Sequence, residues 1–347
     1  MMDCYLQIRC FARRKLICPG ILIAGLSGFV LAGPVVADEL EACLTVMLQQ
    51  SSDSTTVGEI RARCAEQLQA DNLAEEDSEP VVVIDRLTED KENILQPFTL
   101  MAHKPNYFLA AAYNSKGYDP ELFQQQYRDP SLKYDDTEAQ FQISLKVPLW
   151  VNLFEKVDIY AAYTNRSFWQ VYNTELSAPF RETNHEPEVW AQFEPSWEIL
   201  GFRNLANAVG IVHQSNGQGG VLSRSWNRVF ANFVFVRGNF AFGFKPWIRI
   251  SEDASDDDNP DITDYLGHFE FRAGYKFNDQ VFSFMTRNYL ESGFDRGALE
   301  FAWSFPLWKY PYLKGYIQYF NGYGESLIDY NRRVNRIGIG IALTDWL

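Results

Sequence analysis

Asn227-Arg228-Val229-Phe230-Ala231-Asn232-Phe233-Val234-Phe235-Val236-Arg237-Gly238-Asn239 is the stretch that decides how this 347-residue chain folds. With the two-residue period of a β-strand, Asn227, Val229, Ala231, Phe233 and Phe235 share one face, while Arg228 and Asn232 lie on the other. Gly238-Asn239 then turns the chain into a second apolar run over 240–251. An apolar face backed by a polar one suits a wall between lipid and a polar lumen.

The same pattern of roughly ten-residue segments separated by turns runs from Pro105 to the end of the chain. It predicts strands near 105–114, 138–149, 157–168, 186–197, 207–215, 227–238, 240–251, 265–276, 280–289, 296–307, 311–320 and 335–346, which makes twelve, an even number. The connections alternate between short ones, as at 150–156, 198–206, 277–279 and 308–310, and longer polar ones, as at 115–137, 169–185, 216–226, 252–264 and 321–334. Short periplasmic turns and long outer loops are expected of an outer membrane barrel. The fold expected is therefore all-β: a twelve-stranded antiparallel transmembrane β-barrel over residues 96–347, closed so that no sheet edge meets lipid. It ends on a terminal strand carrying Trp346-Leu347, where a final Phe would be more typical.

Composition agrees. Aromatic residues make up 15% of the chain, with 9 Trp, 18 Tyr and 26 Phe, as barrel girdles require. Past Ala37 no segment approaches the roughly 18 uncharged apolar residues of a spanning helix. A secreted soluble β protein is the competing reading on composition alone. The net charge of −14 argues against nucleic-acid partners.

The N-terminus carries Arg13, Arg14 and Lys15, a glycine-interrupted apolar run over 16–31, and Val35-Val36-Ala37 before Asp38. This is the pattern of a secretory signal peptide over residues 1–37, and the run is short for an anchor helix. Cleavage there would remove Cys4, Cys10 and Cys18, leaving Cys43 and Cys64 as an even pair for a disulfide in an oxidising compartment. Residues 38–95 are acidic, with helix-favouring stretches such as 57–73 and little strand alternation. They read as a short N-terminal periplasmic extension, or as a linker of no separate function.

Chemistry concentrates in His213-Gln214-Ser215-Asn216-Gly217 and Ser223-Arg224-Ser225-Trp226-Asn227-Arg228. His213 and Ser215 are two residues apart, on the same strand face as Val209 and Ile211, and a hairpin would bring Asn227 beside them. Serine as nucleophile, histidine as base and asparagine as orienter make a hydrolase set at the outer end of the barrel wall, facing lipid. A neutral Asn227 brings no charge to an imidazolium, so the oxyanion needs more help from backbone N–H groups or a metal. Gly217 offers an unobstructed N–H, and Ser223 with the carbonyls of the 217–222 loop offers hard oxygen ligands for Ca²⁺. Ordinary polar packing is the alternative for a His-x-Ser on a strand, and a lipid-facing position weighs against it.

These two blocks resemble the active-site signature of the outer membrane phospholipase A family. So do the 177–184 block beginning Ser177-Ala178-Pro179-Phe180, Asp258-Asn259-Pro260-Asp261-Ile262-Thr263, and Gly322-Tyr323-Gly324-Glu325-Ser326-Leu327-Ile328-Asp329-Tyr330-Asn331. The blocks stand in family order from about residue 95 to the end. The resemblance implies a calcium-dependent phospholipase A1/A2 and lysophospholipase in the Gram-negative outer membrane, acting on phospholipids and lysophospholipids as a homodimer. It implies Ser215 as nucleophile, His213 as base, Asn227 as orienter and Gly217 in the oxyanion hole. Calcium would be held by the Ser223 hydroxyl, the Gln218 carbonyl and the Ser177 carbonyl of a second copy. In two places the chain departs from the pattern. Gln218 stands where the family often has Arg, and Gly220 replaces an aspartate of a second calcium site whose other aspartate matches Asp258.

Other polar residues read more plainly. Asp256, Asp257, Asp258 and Asp261 form an acidic loop, expected to be solvated more than to bind cations. His103, His185 and His268 lack serine or cysteine partners at useful spacing and are assigned no chemistry. Glu325 and Asp329 fall in a loop and are expected at most to cap outer turns. The competing functions are a passive porin and a structural or adhesive barrel. Against the porin, inward residues such as Arg228 and Asn232 would fill so narrow a lumen.

Overall fold

In a computed structural model of the chain the described residues are 99–347, except 177–179, 196 and 309, together with Thr56, Gly58, Ile60, Arg61, Arg63 and Cys64. Residues 1–37, expected to be a signal peptide, and nearly all of 38–95 lie outside them. The chain divides into two compact units, 1–78 and 79–347. In the first, Gly58, Ile60, Arg61, Arg63 and Cys64 are helical, Ile60 and Cys64 are buried one turn apart, and Cys64 is disulfide-bonded. Cys43 lies outside the described residues.

The second unit is a closed antiparallel barrel of twelve strands: β1 Asn106–Asn114, β2 Thr137–Leu153, β3 Val157–Trp169, β4 Phe180–Phe193, β5 Phe202–Ser215, β6 Ser225–Arg237, β7 Phe240–Ile250, β8 Phe269–Phe277, β9 Gln280–Arg287, β10 Ala298–Leu307, β11 Tyr310–Gly322 and β12 Val334–Thr344. Each strand pairs with its neighbours in sequence, and β12 pairs with β1 to close the wall. Two-residue strands, Met101–Ala102 and Glu198–Ile199, extend it at β2 and β5. All twelve expected strands are present, with several boundaries displaced: β5 begins at Phe202 and not 207, β2 runs on to Leu153 and not 149, and β4 ends at Phe193 and not 197. β4 begins at Phe180 and not 186, because the polar run after it is a strand whose alternate residues, Arg181 among them, are buried inside. β8 begins at Phe269 and not 265, because Ile262–Leu266 forms a short helix, α2, ended by Gly267 at φ +68°. β12 ends at Thr344. Beyond it, buried Asp345 accepts hydrogen bonds from Ser304 and Lys314, and the Arg272 guanidinium lies 4.3 Å above the Trp346 ring. The C-terminal aromatic thus belongs to the lumen and not to the terminal strand.

Outside, the wall is apolar: Ile143, Val209, Ile211, Ile248, Ile337 and Ile339 are all exposed. Trp150, Phe154, Trp197, Phe277, Trp308 and Tyr310 are exposed near the short turns, as an interfacial aromatic girdle requires. Such surface is stable against lipid and not against water.

Inside, paired charges cross the lumen. Lys104 bridges Glu186 and Glu188, Lys245 reaches Glu188 at 3.0 Å, and Arg228 lies 3.7 Å from Glu186 with its guanidinium 3.9 Å from the Trp226 ring. Arg166 approaches Glu300 and Glu325, and Arg336 pairs with Glu325. A cavity of about 310 Å³ remains among these residues. The expectation that Arg228 would help fill the lumen is met.

Candidate active site

The register of β5 with β6 places His213 opposite Asn227 and Ser215 opposite Ser225. Val209 and Ile211 are more than half exposed while Val212 is 2% exposed, so the face that carries His213 and Ser215 looks outward. Gly210 permits this close packing: a Cβ there would lie 2.4 Å from the Val189 carbonyl oxygen. Asn227 shares the outward face of β6 with Val229.

His213 Nδ1 lies 2.8 Å from Asn227 Oδ1. An amide oxygen only accepts, so Nδ1 carries the proton and Nε2 is left with its lone pair, the tautomer a general base needs. The Asn227 amide nitrogen donates to Glu252 Oε1 at 2.8 Å. Ser215 Oγ and His213 are brought to the same face without a hydrogen bond between them. Such contacts often tighten only when substrate binds.

The loop after Ser215 is held by Asn216, which is buried. Its side chain donates to the Leu222 carbonyl at 2.8 Å and to Glu182, and accepts from the N–H groups of Gln218 and Arg224. Gly217 adopts φ +63°, which favours glycine, and its backbone is exposed beside the ring of His185. Gly220 also has φ +63°, and a Cβ there would meet Gln126 of helix α1, Glu121–Tyr127, at 2.8 Å. That Gln126 atom is the far end of a flexible side chain, so the left-handed backbone, more than space, favours glycine here. Leu222 packs under the loop against Phe123 and Ile328.

Beneath the loop, three of the sequence blocks meet. Glu182 accepts from Asn184, Asn216 and the Ile328 N–H, and Asn184 accepts from the Leu327 N–H. Arg181 makes a two-pronged pair with Glu138 at 3.0 and 2.9 Å and reaches Asp329 at 2.5 Å. Glu325 and Asp329 are therefore buried counter-ions and not caps on outer turns. An arginine-lined lumen needs carboxylates, and this loop supplies them.

The acidic loop is also more tied down than expected. Asp257 pairs with Arg249 at 2.6 Å, Asp258 accepts from the Ser223 hydroxyl at 2.5 Å, and Asp261 accepts from Tyr330. Burial and the bond to Asp261 push the Tyr330 phenol above its ordinary range. Asp256 and Asp258 are exposed, as a solvated loop requires, while Asp257 and Asp261 are half-buried. A hydroxyl, a carboxylate and the backbone carbonyl of Gln218, an exposed residue, are hard oxygen donors, the chemistry that suits Ca²⁺. Ser177 lies outside the described residues. No cluster of three or more acidic, histidine or cysteine side chains able to hold a metal occurs among the described residues, so a cation here would draw largely on neutral oxygens.

Two contacts were not anticipated. His185 stands opposite Ser215 in the β4–β5 ladder, and its Nδ1 lies 2.6 Å from the Tyr163 hydroxyl. The useful spacing was across strands, not along the chain. Glu252 lies two residues beyond Ile250, the cross-strand partner of Asn227, and strand parity alone could have found it. His103 and His268 are bonded to Glu188 and Glu291, away from the serine.

The sequence profile of the phospholipase A1 family matches residues 83–343. The chain belongs to the phospholipase A1 family. It is 35% identical to phospholipase A1 of Klebsiella pneumoniae over 266 residues, covering 76% of this chain and 87% of that one. It is 33% identical to phospholipase A1 of Proteus vulgaris, covering 81% and 93%. Among solved structures, the outer membrane phospholipase A of Escherichia coli superposes with a TM-score of 0.66 at 34% identity, covering 72% of this chain and all of that one. The Salmonella typhi outer membrane phospholipase, crystallised as a dimer with bound calcium, gives the same score and identity over 94% of its length. As a phospholipase A1 family member with a closed barrel, the chain is an outer membrane protein that crosses with strands.

Proposed function

We propose that this chain hydrolyses the acyl esters of membrane phospholipids and lysophospholipids, as a phospholipase A1/A2 of the outer leaflet, with Ser215, His213 and Asn227 as its triad. The observation that carries the reading is the 2.8 Å contact of His213 Nδ1 with Asn227 Oδ1 on the lipid-facing side of the wall, two residues from Ser215.

His213 Nε2 takes the Ser215 proton as Oγ attacks the ester carbonyl, and returns it to the departing alcohol. Asn227 keeps the ring in the required tautomer. The Gly217 N–H donates to the oxyanion, and the Asn216 clamp keeps that N–H in place. Water then repeats the cycle on the acyl-serine. A substrate confined to the bilayer reaches a nucleophile on the barrel wall without leaving lipid.

The residues that would hold Ca²⁺ are Ser223 and Gln218, with the Ser177 carbonyl from a second copy in a homodimer. The bound ion would supply positive charge at the oxyanion. The Ser223–Asp258 contact supports a cation at this place, as does the calcium-bound dimer of the Salmonella relative. Residues 1–37 would be removed as a signal peptide, leaving 38–95 in the periplasm. The lumen, crossed by salt bridges, counts against a passive channel.

Fatty-acid release from a diacyl lipid and a lyso-lipid, in excess Ca²⁺ and in excess chelator, tests the reading. Release is expected only with calcium and to vanish in Ser215→Ala, while the folded band on unheated gels persists under chelation because the ion lies outside the hydrogen-bonded wall. Undiminished release by Ser215→Ala would overturn the nucleophile. Release insensitive to chelator would overturn the calcium.

A further inference from the structure

Glu252 is a carboxylate in an awkward place. Ile248 and Ile250 of β7 face outward, exposed, and Glu252 continues the same two-residue period just beyond the end of the strand. A carboxylate at the lipid boundary is costly unless it is partnered or functional. Its partner is the catalytic amide: Asn227 Nδ2 donates to Glu252 Oε1 at 2.8 Å, while Asn227 Oδ1 faces His213 at the same distance. The three side chains form one unbroken line of hydrogen bonds ending in a negative charge.

We infer that Glu252 is a fourth, positioning member of the relay, supplying through Asn227 the carboxylate that the triad lacks. An unsupported amide can rotate to present its nitrogen to His213, which would stabilise the wrong tautomer. A carboxylate accepts and cannot donate, so it fixes the amide with Oδ1 toward the ring. Its charge also polarises the amide and favours the imidazolium formed as Ser215 is deprotonated. His213–Asn227–Glu252 thereby does in two hydrogen bonds what a histidine–aspartate pair does in one.

The inference rests on the proposed triad, and the test separates the two. Purified Glu252→Gln keeps an oxygen acceptor for Asn227 and loses the charge. It is expected to lower kcat by about ten- to fiftyfold with KM within twofold, since the charge acts on the transition state. Asn227→Asp combined with Glu252→Gln returns a carboxylate to the line, one residue closer to His213, and should recover most of the lost kcat. Gel mobility without heating confirms the barrel in each. A Glu252→Gln enzyme with kcat within twofold of wild type overturns the inference, as does a double variant no faster than Glu252→Gln. Activity surviving in Ser215→Ala, measured alongside, would instead overturn the triad.

Discussion

His213→Ala is expected to lower kcat for ester hydrolysis by about 10³- to 10⁴-fold while leaving the barrel folded, because Ser215 would lose the base whose ring is oriented by Asn227. The loss should fall on kcat more than on KM, since the proton is moved only in the transition state. Asn227 acts one step back, so Asn227→Ala should cost less than His213→Ala, and the two losses should not add. Steady-state rates in mixed micelles, with His213→Ala, Asn227→Ala and the double variant side by side, decide this. If Asn227→Ala reduced activity as deeply as His213→Ala, the neutral orienter would have to carry more of the chemistry than its position behind the ring allows.

Arg181→Met is expected to give the largest loss of stability of any single change in the second unit. Its side chain, 1% exposed, is paired with both Glu138 and Asp329. Removing one member of a buried ion pair leaves its partners charged without compensation and costs about 3–5 kcal/mol. Arg181→Lys would keep the charge but lose the two-pronged geometry, and should fall between. Denaturant unfolding of the refolded barrel in detergent measures both. Activity should fall with stability, because Asp329 lies one residue from Ile328, whose N–H is held by Glu182, and Glu182 also holds Asn216. A variant of wild-type stability would mean that the buried carboxylates find other partners.

Much of this was legible in the sequence, and the exceptions follow a physical rule. Alternation over 227–237 gives β6, its faces and the outward position of Asn227, because one wall separates lipid from a polar lumen. The N-terminal end of β4 was hidden because Arg181 and Glu182 look like loop residues until the lumen supplies their partners. Trp346 has the look of a girdle residue and instead stacks beneath Arg272. Within the site, His213, Ser215 and Asn227 are set by parity and one hairpin register, so short-range pattern suffices. Glu252 follows by the same parity from Ile250, but Asn216 and Glu182 do not, because their contacts join segments tens of residues apart, or more, and depend on how loops fold over the mouth of the barrel.

The most direct measurement of the central claim is covalent capture. A long-chain alkanesulfonyl fluoride reaches a lipid-facing nucleophile and forms a stable adduct with an activated serine, which peptide mass mapping locates. The prediction is a single adduct on Ser215, formed in the presence of Ca²⁺, in step with loss of hydrolysis, and absent from His213→Ala. Inactivation with the adduct elsewhere, or labelling of Ser215 that leaves hydrolysis intact, would contradict it.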